Sequence, residues 1–306
     1  MKNDNALLRK ITVFTIFFVF ICTILISASA WAVSDNFNEP LKSKGLTLSP
    51  LRTELELAPG TAKEGYLTIT NSTKETMLVN MNAEEFNVTN DQYDYAFNEN
   101  SDVVKWVDFN PSSVELAAGK SERVKYRISV PLSAEPGGRY LSMFASNDTS
   151  ASGNGLSSRQ RIASLLYVTV TGAVSREGHL LSLSSPWLVT GKTSWSVALR
   201  NTGTTHFRSR RNVQIVSIFG EKASIISNTD ESLILPGSVR LVTDDLPLPQ
   251  FPGVYKIIYT IGLGDTPAKT VTKYILYAPP LAIVLFVTAI MIALSLIRRK
   301  RSAKKA

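Results

Sequence analysis

Val124-Lys125-Tyr126-Arg127-Ile128-Ser129-Val130 places an apolar side chain at every second position. Successive side chains of a β-strand point to opposite faces, so this pattern sets one face on a core and the other toward water. The same alternation recurs in Tyr66-Leu67-Thr68-Ile69-Thr70, in residues 165–171, in residues 195–199 and in residues 255–261. Pro, Gly, Asn and Ser separate these runs, and no stretch between Gly45 and Tyr277 sustains a helical repeat. Short strands at regular spacing, with turn chemistry between them, predict an all-β fold built as a sandwich.

Working outward from that strand, the chain divides into two similar halves. In the first, a strand ends at Thr70-Asn71-Ser72, Ala118-Gly119-Lys120 turns into another, and Pro136-Gly137-Gly138-Arg139-Tyr140 opens a third. In the second, Arg200-Asn201-Thr202-Gly203 ends a strand, Leu235-Pro236-Gly237 makes the later turn, and Phe251-Pro252-Gly253-Val254-Tyr255 opens the later strand. Pro-Gly bends the chain and a tyrosine then enters a strand, as at the tyrosine corner of immunoglobulin-like sandwiches. Two tandem immunoglobulin-like β-sandwiches are therefore predicted, at residues 45–172 and 179–277, joined by a linker at 173–178. The spacings differ, so the halves share an architecture rather than a strict repeat. Trp106, Tyr140 and Tyr255 are assigned core and turn roles. The Ser-, Gly- and Asn-rich run from Asn147 to Ser158 reads as a loop of the first sandwich.

The two ends carry membrane signals. Lys2, Arg9 and Lys10 precede an apolar run over residues 11–26, followed by small residues at Ala28, Ser29, Ala30 and Ala32. Residues 1–32 thus read as a signal peptide with candidate cleavage motifs Ala28-Ser29-Ala30 and Ala30-Trp31-Ala32, the favoured cut falling after Ala32. The apolar run is long for a signal, which leaves an uncleaved anchor as the alternative. Val19-Phe20-Ile21-Cys22 lacks the small residue that a lipobox places before its cysteine. A polar lead-in occupies residues 33–44. At the other end, no charge interrupts the chain from Leu281 to Ile297, and Pro279-Pro280 stand where a helix begins. Residues 278–297 are therefore predicted to cross a lipid membrane. The basic tail 298–306, with Arg298, Arg299, Lys300, Arg301, Lys304 and Lys305, is expected to stay cytoplasmic. The expected product is a single-pass cell-membrane protein with its bulk outside.

The formal net charge of +8 belongs to those ends. The tail contributes six positive charges and residues 1–10 a net two, so residues 11–297 are neutral. A nucleic-acid partner is excluded on that distribution. Cys22, the only cysteine, lies in the signal, so the exported part has neither disulfide nor thiol chemistry and its domains rely on their cores.

No catalytic set emerges. The chain has two histidines, His179 and His206, with no Gly-x-Ser-x-Gly, no zinc-type spacing and no phosphate-cradling loop. No enzyme activity, cofactor or metal is predicted. Two groups are candidate ligand contacts. Tyr93 and Tyr95 lie among Glu84, Glu85, Asp91, Asp94, Glu99 and Asp102, where aromatic rings can stack on sugar or instead join the core. Arg208, Arg210 and Arg211 form a basic patch suited to anionic polymer or headgroups, or to a solvated hairpin.

Leu48-Ser49-Pro50, Ala58-Pro59-Gly60, Thr68-Ile69-Thr70-Asn71, Trp106, Asn110-Pro111 with Leu116-Ala117-Ala118-Gly119, and Val130-Pro131 with Pro136-Gly137-Gly138-Arg139-Tyr140 resemble the first domain of bacterial WxL-interacting surface proteins. The resemblance covers residues 46–172, and beyond them the overall plan. It implies a peptidoglycan-binding first domain and a partner- or host-binding second one. Similar phrasing occurs in PapD-like pilus chaperones, which are soluble and periplasmic; the terminal helix argues against that assignment. The leading expectation is a non-enzymatic surface protein that binds cell-wall peptidoglycan or another surface protein. An assembly or chaperone-like module working by strand addition is the second, and a hydrolase, against which the missing motifs speak, the third.

Overall fold

The computed structural model describes residues 45–149, 158–218, 225–228 and 231–303. The expected signal peptide and lead-in, residues 150–157 of the predicted loop, and the tail cations Lys304 and Lys305 lie outside the described residues.

The protein is all-β with one C-terminal helix. Ten strands build the first sandwich: β1 (Leu46–Ser49), β2 (Arg52–Leu57), β3 (Ala62–Asn71), β4 (Met77–Val88), β5 (Tyr95–Asn98), β6 (Val107–Asn110), β7 (Ser113–Leu116), β8 (Ser121–Ser129), β9 (Gly137–Thr149) and β10 (Ser158–Val170). One sheet runs β1-β3-β8-β6, and the facing one runs β2-β10-β9-β4-β5 with β7 added to β4. The alternation read at residues 124–130 is the inward face of β8, where Val124, Tyr126 and Ile128 meet Leu67, Ile69, Leu141, Met143, Leu166 and Val168 in the core. Trp106 is buried in the same core, at the end of a 3-10 turn over Asp102–Trp106.

β9 and β10 run further than the sequence suggests. Asn147 pairs with Gln160, Asp148 with Arg159 and Thr149 with Ser158, so both ends of the predicted loop belong to a hairpin. Loop-like composition misleads there because the ladder is made by backbone groups, which every residue in this segment carries.

The second sandwich contains β11 (Gly178–Ser184), β12 (Leu188–Val189), β13 (Ser194–Asn201), β14 (Phe207–Ser209), β15 (Arg211–Ser217), β16 (Ile225–Asn228), β17 (Ser232–Ile234), β18 (Val239–Asp245), β19 (Gly253–Leu263) and β20 (Thr266–Tyr277). A sheet ordered β11-β13-β18 faces one ordered β12-β20-β19-β15-β16, and β14 pairs with β17. Trp195 packs on Tyr259 at 4.6 Å between ring centroids, with Val197, Leu199, Val213, Ile215, Ile257 and Ile261 around them.

The likeness of the halves has a physical basis in two buried asparagines. Asn71, ending β3, donates through Nδ2 to the carbonyls of Glu75 and Leu116 at 2.7 and 3.0 Å. Asn201, ending β13, donates likewise to Thr205 and Ile234 at 3.0 and 2.8 Å. Each ties its own strand end to a carbonyl four residues on and to one at the end of a distant strand, a job that suits a side chain with two amide donors.

Helix α1 spans Pro280–Ala303 and continues through Arg298, Arg299, Lys300 and Arg301, which the sequence reading places in a tail. Its segment Pro280–Arg298 is long and apolar enough to cross a membrane, and none of it is buried against the sandwiches. Only Ala278 and Pro279 separate it from β20.

Candidate functional site

The outward face of an antiparallel sheet is ordinarily polar. On the larger sheet of the first sandwich it is aromatic instead. Alternation along β4, β9 and β10 turns Met77, Val79, Met81, Leu141, Met143, Leu166 and Val168 inward. The intervening positions, Phe86, Tyr140, Phe144 and Tyr167, consequently point out, and β5 adds Tyr95 and Phe97 beside Phe86. The rings meet edge to face: Phe86 with Tyr95 at 5.0 Å, Phe86 with Tyr167 at 5.8 Å and Phe97 with Phe144 at 5.2 Å.

The second sandwich covers one end of this face. Leu233 and Leu235 pack onto Phe86, Tyr140 and Tyr167. The polar groups left around them find partners across the crease. Tyr140 Oη accepts from the His206 N–H at 3.0 Å, Gly138 N–H donates to Thr204 O at 2.9 Å, and the Thr169 and Thr205 hydroxyls lie 3.1 Å apart. Glu54 on β2 forms an ion pair with Arg208, and Arg176 reaches Glu56 at 3.1 Å. Burial pushes the hydroxyls of Tyr140 and Tyr167 to higher pKa, so both remain neutral donors. Burial also lowers the pKa of His206, against a weaker upward pull from the Glu54 carboxylate.

Tyr93 belongs to this crease. Its hydroxyl accepts from Leu235 N–H at 2.7 Å and lies 3.1 Å from Ser238 Oγ, while the Arg240 guanidinium covers its ring at 4.2 Å. Where the sequence offers Tyr93 as a ligand contact, the structure sets its hydroxyl and one face of its ring against the second sandwich. His206 rather than His179 is the histidine at the junction; His179 is exposed on β11. The arginine patch is likewise engaged. Arg208 bridges Glu54 and Glu231, Arg210 pairs with Glu231, and Arg211 is buried against Asp244 at 2.7 Å. Arg210 and Arg211 line an open cleft of about 590 Å³ with Asn212, Glu231, Thr260, Gly262 and Ala268. Tyr140 stands on the aromatic face, and Tyr255 donates its hydroxyl proton to Phe251 O, four residues back, at 2.7 Å.

The other end of the face stays open. Tyr95 and Phe97 are exposed there. The Arg161 guanidinium lies 3.3 Å from the Phe144 ring centroid and pairs with Glu84, so a cation, a carboxylate and two rings share one patch. Beside it runs a bare strand edge. β2 pairs with β10 only from Leu165 to Val170, and among the described residues no strand pairs with the outer edge of β10 before that. Leu165 N–H donates outward to Leu51 O, so the two-residue period aims the N–H groups of Ala163, Arg161 and Arg159 at the same open edge. Sequence reasoning finds Tyr95 and names Glu84 among its acidic neighbours, but misses Phe144 and Arg161. Their clue is an aromatic or charged residue at the polar phase of an alternating strand, as in Phe144 within Leu141-Ser142-Met143-Phe144-Ala145.

The fold and the site together define a protein of two immunoglobulin-like sandwiches meeting at an aromatic crease, with a terminal apolar helix. No family model and no curated protein matches the sequence. Solved structures with a similar fold include the class 5 fimbriae chaperone CfaA, at 11% identity over 76% of this chain and 99% of that one, with a TM-score of 0.40. The E. coli chaperone DraB aligns at 16% identity over 76% and 96%, TM-score 0.34. A chain of the Salmonella enterica SafA pilin–SafB chaperone complex aligns at 10% identity over 78% and 98%, TM-score 0.38. At these scores the sandwich assignment rests on the protein's own strand ladders.

Proposed function

We propose that this chain is a non-enzymatic surface protein, anchored by α1 with its sandwiches outside the membrane, that holds another exported protein. The held segment is extended and adds as a strand along the outer edge of β10. The observation that carries this reading is the run of outward N–H groups at 159, 161 and 163 beside the open aromatic patch. Backbone groups on such an edge supply affinity, and Arg161, Phe144 and Phe97 supply side-chain selection. The outer edge of β20 is a poorer host. It carries Pro267, and Lys269 and Lys273 stand on its core-facing side opposite Ile261 and Ile257, devices that discourage strand addition.

A photo-crosslinking residue at Gln160 in the full chain, expressed in its own cells, tests the reading. An exported protein should be captured, and capture should vanish with Ala163→Pro, which removes an outward donor and leaves the β9 ladder intact. Absence of capture, or capture indifferent to that proline, overturns it. A cell-wall glycan is the second reading, favoured by the exposed rings of Tyr95 and Phe97. Co-sedimentation of the detergent-solubilised chain with purified peptidoglycan, lost on Phe97→Ala, would support it.

A further inference from the structure

The end of the second sandwich nearest α1 carries a cluster of exposed apolar residues with no role in either core. Trp187 is 72% exposed, Phe251 66% and Tyr274 62%, and Leu188, Ile218, Val254 and Leu276 are exposed with them. They belong together. Leu188, Leu276 and Val254 stand side by side across β12, β20 and β19. Trp187 O accepts from Leu276 N–H at 2.8 Å, and Ile218 N–H points at Val254 O at 3.5 Å. Phe251 lies two residues before Gly253, which pairs with Tyr277. A contiguous apolar patch of this kind needs cover.

We infer that this patch is seated in the headgroup layer of the bilayer that α1 crosses, so that the second sandwich rests on the membrane instead of standing clear of it. The inference rests on reading α1 as a membrane span. Two residues, Ala278 and Pro279, connect β20 to the helix, and two extended residues reach at most about 7 Å. The headgroup layer on each side of the hydrocarbon is itself roughly 5–7 Å thick. Ala278 N–H donates to Val189 O at 2.9 Å, which fastens even this short connection to the sheet. Once Leu281 enters hydrocarbon, the end of the sheet therefore lies within the headgroup layer. Its composition suits that place. Trp187 and Tyr274 are amphipathic rings of the kind that favour the interface, and Lys256, cross-strand from Tyr274, sets a cation at phosphate level.

The full chain carrying Cys22→Ser, reconstituted into phosphatidylcholine–phosphatidylglycerol vesicles, provides the test. Spin labels are placed singly through Trp187→Cys, Phe251→Cys and Leu276→Cys. Leu132→Cys, 83% exposed on the first sandwich, is the aqueous reference, and Ile290→Cys within α1 is the lipid reference. Relaxation by dioxygen, which concentrates in lipid, is compared with relaxation by a water-soluble nickel chelate. The patch labels should show an oxygen-to-nickel ratio several-fold above that at residue 132. Ratios equal to the aqueous reference, with residue 290 in lipid, overturn the inference and leave the membrane span standing. Residue 290 in water overturns both. Patch labels shielded from both reagents assign the patch to a protein contact and overturn it as well.

Discussion

Replacing Asn71 by alanine tests the reading of the buried asparagines as fasteners. Its Nδ2 reaches the carbonyls of Glu75, Leu116 and Ala117 at 2.7, 3.0 and 3.3 Å, and its Oδ1 accepts from the N–H and hydroxyl of Thr73 at 2.9 and 2.6 Å. The residue is fully buried. Each bond made by folding nets about 1 kcal/mol, and an orphaned buried carbonyl such as Leu116 O costs about 1–3 kcal/mol. Water can replace the bonds near Thr73 and Glu75, which are only part-buried, so the loss comes to about 3 kcal/mol. For a sandwich of this size that is a fall of about 10 °C in the melting temperature. Hydrogen exchange of the full chain in detergent micelles should show the change in peptides spanning β3 and β7. Asn71→Asp sharpens the test, because it keeps the acceptor and sets a carboxylate against carbonyl oxygens. Burial raises the pKa of such a group, so this variant should be less stable than the alanine variant at pH 7 and should recover on acidification. An alanine variant within about 0.5 kcal/mol of the parent, or an aspartate variant that outperforms it at neutral pH, would refute the reasoning.

Arg211→Ala should cost about 3 kcal/mol by taking the partner from Asp244, whose side chain is mostly but not fully buried, whereas Arg210→Ala, at an exposed position, should stay within about 0.5 kcal/mol; urea titration separates them. Gly138→Ala should loosen the crease, because a Cβ there overlaps the Tyr140 hydroxyl; exchange of the His206 amide, which donates to that hydroxyl, should accelerate. The crease should also weaken in acid. The folded pKa of His206 lies below its ordinary 6.5, so the contact is fully present above pH 6.5 and is lost as pH falls through the folded value. Exchange protection of Thr205 and His206 at pH 7.5 and pH 5 checks this, and His206→Gln should flatten the difference.

The sequence alone settles the all-β class. Period-two alternation at residues 66–70, 124–130, 195–199 and 255–261 is set by strand geometry and needs no knowledge of neighbours. The apolar, uncharged run at residues 281–297 is readable in the same local way. The matching strand ends at Asn71 and Asn201 are visible as turn chemistry, although their carbonyl partners, Leu116 and Ile234, are not. Tertiary structure decides what lies on the outward faces. Phe86, Phe97, Phe144 and Tyr167 come from four strands, and only the order β10-β9-β4-β5 makes them one surface. The same holds for charge. Arg208 reads as a free cation until Glu54, 154 residues away, is folded against it. Alternation along a strand is a local property of the backbone, whereas strand order and domain contact join residues far apart in the chain, and no local pattern encodes which ones meet.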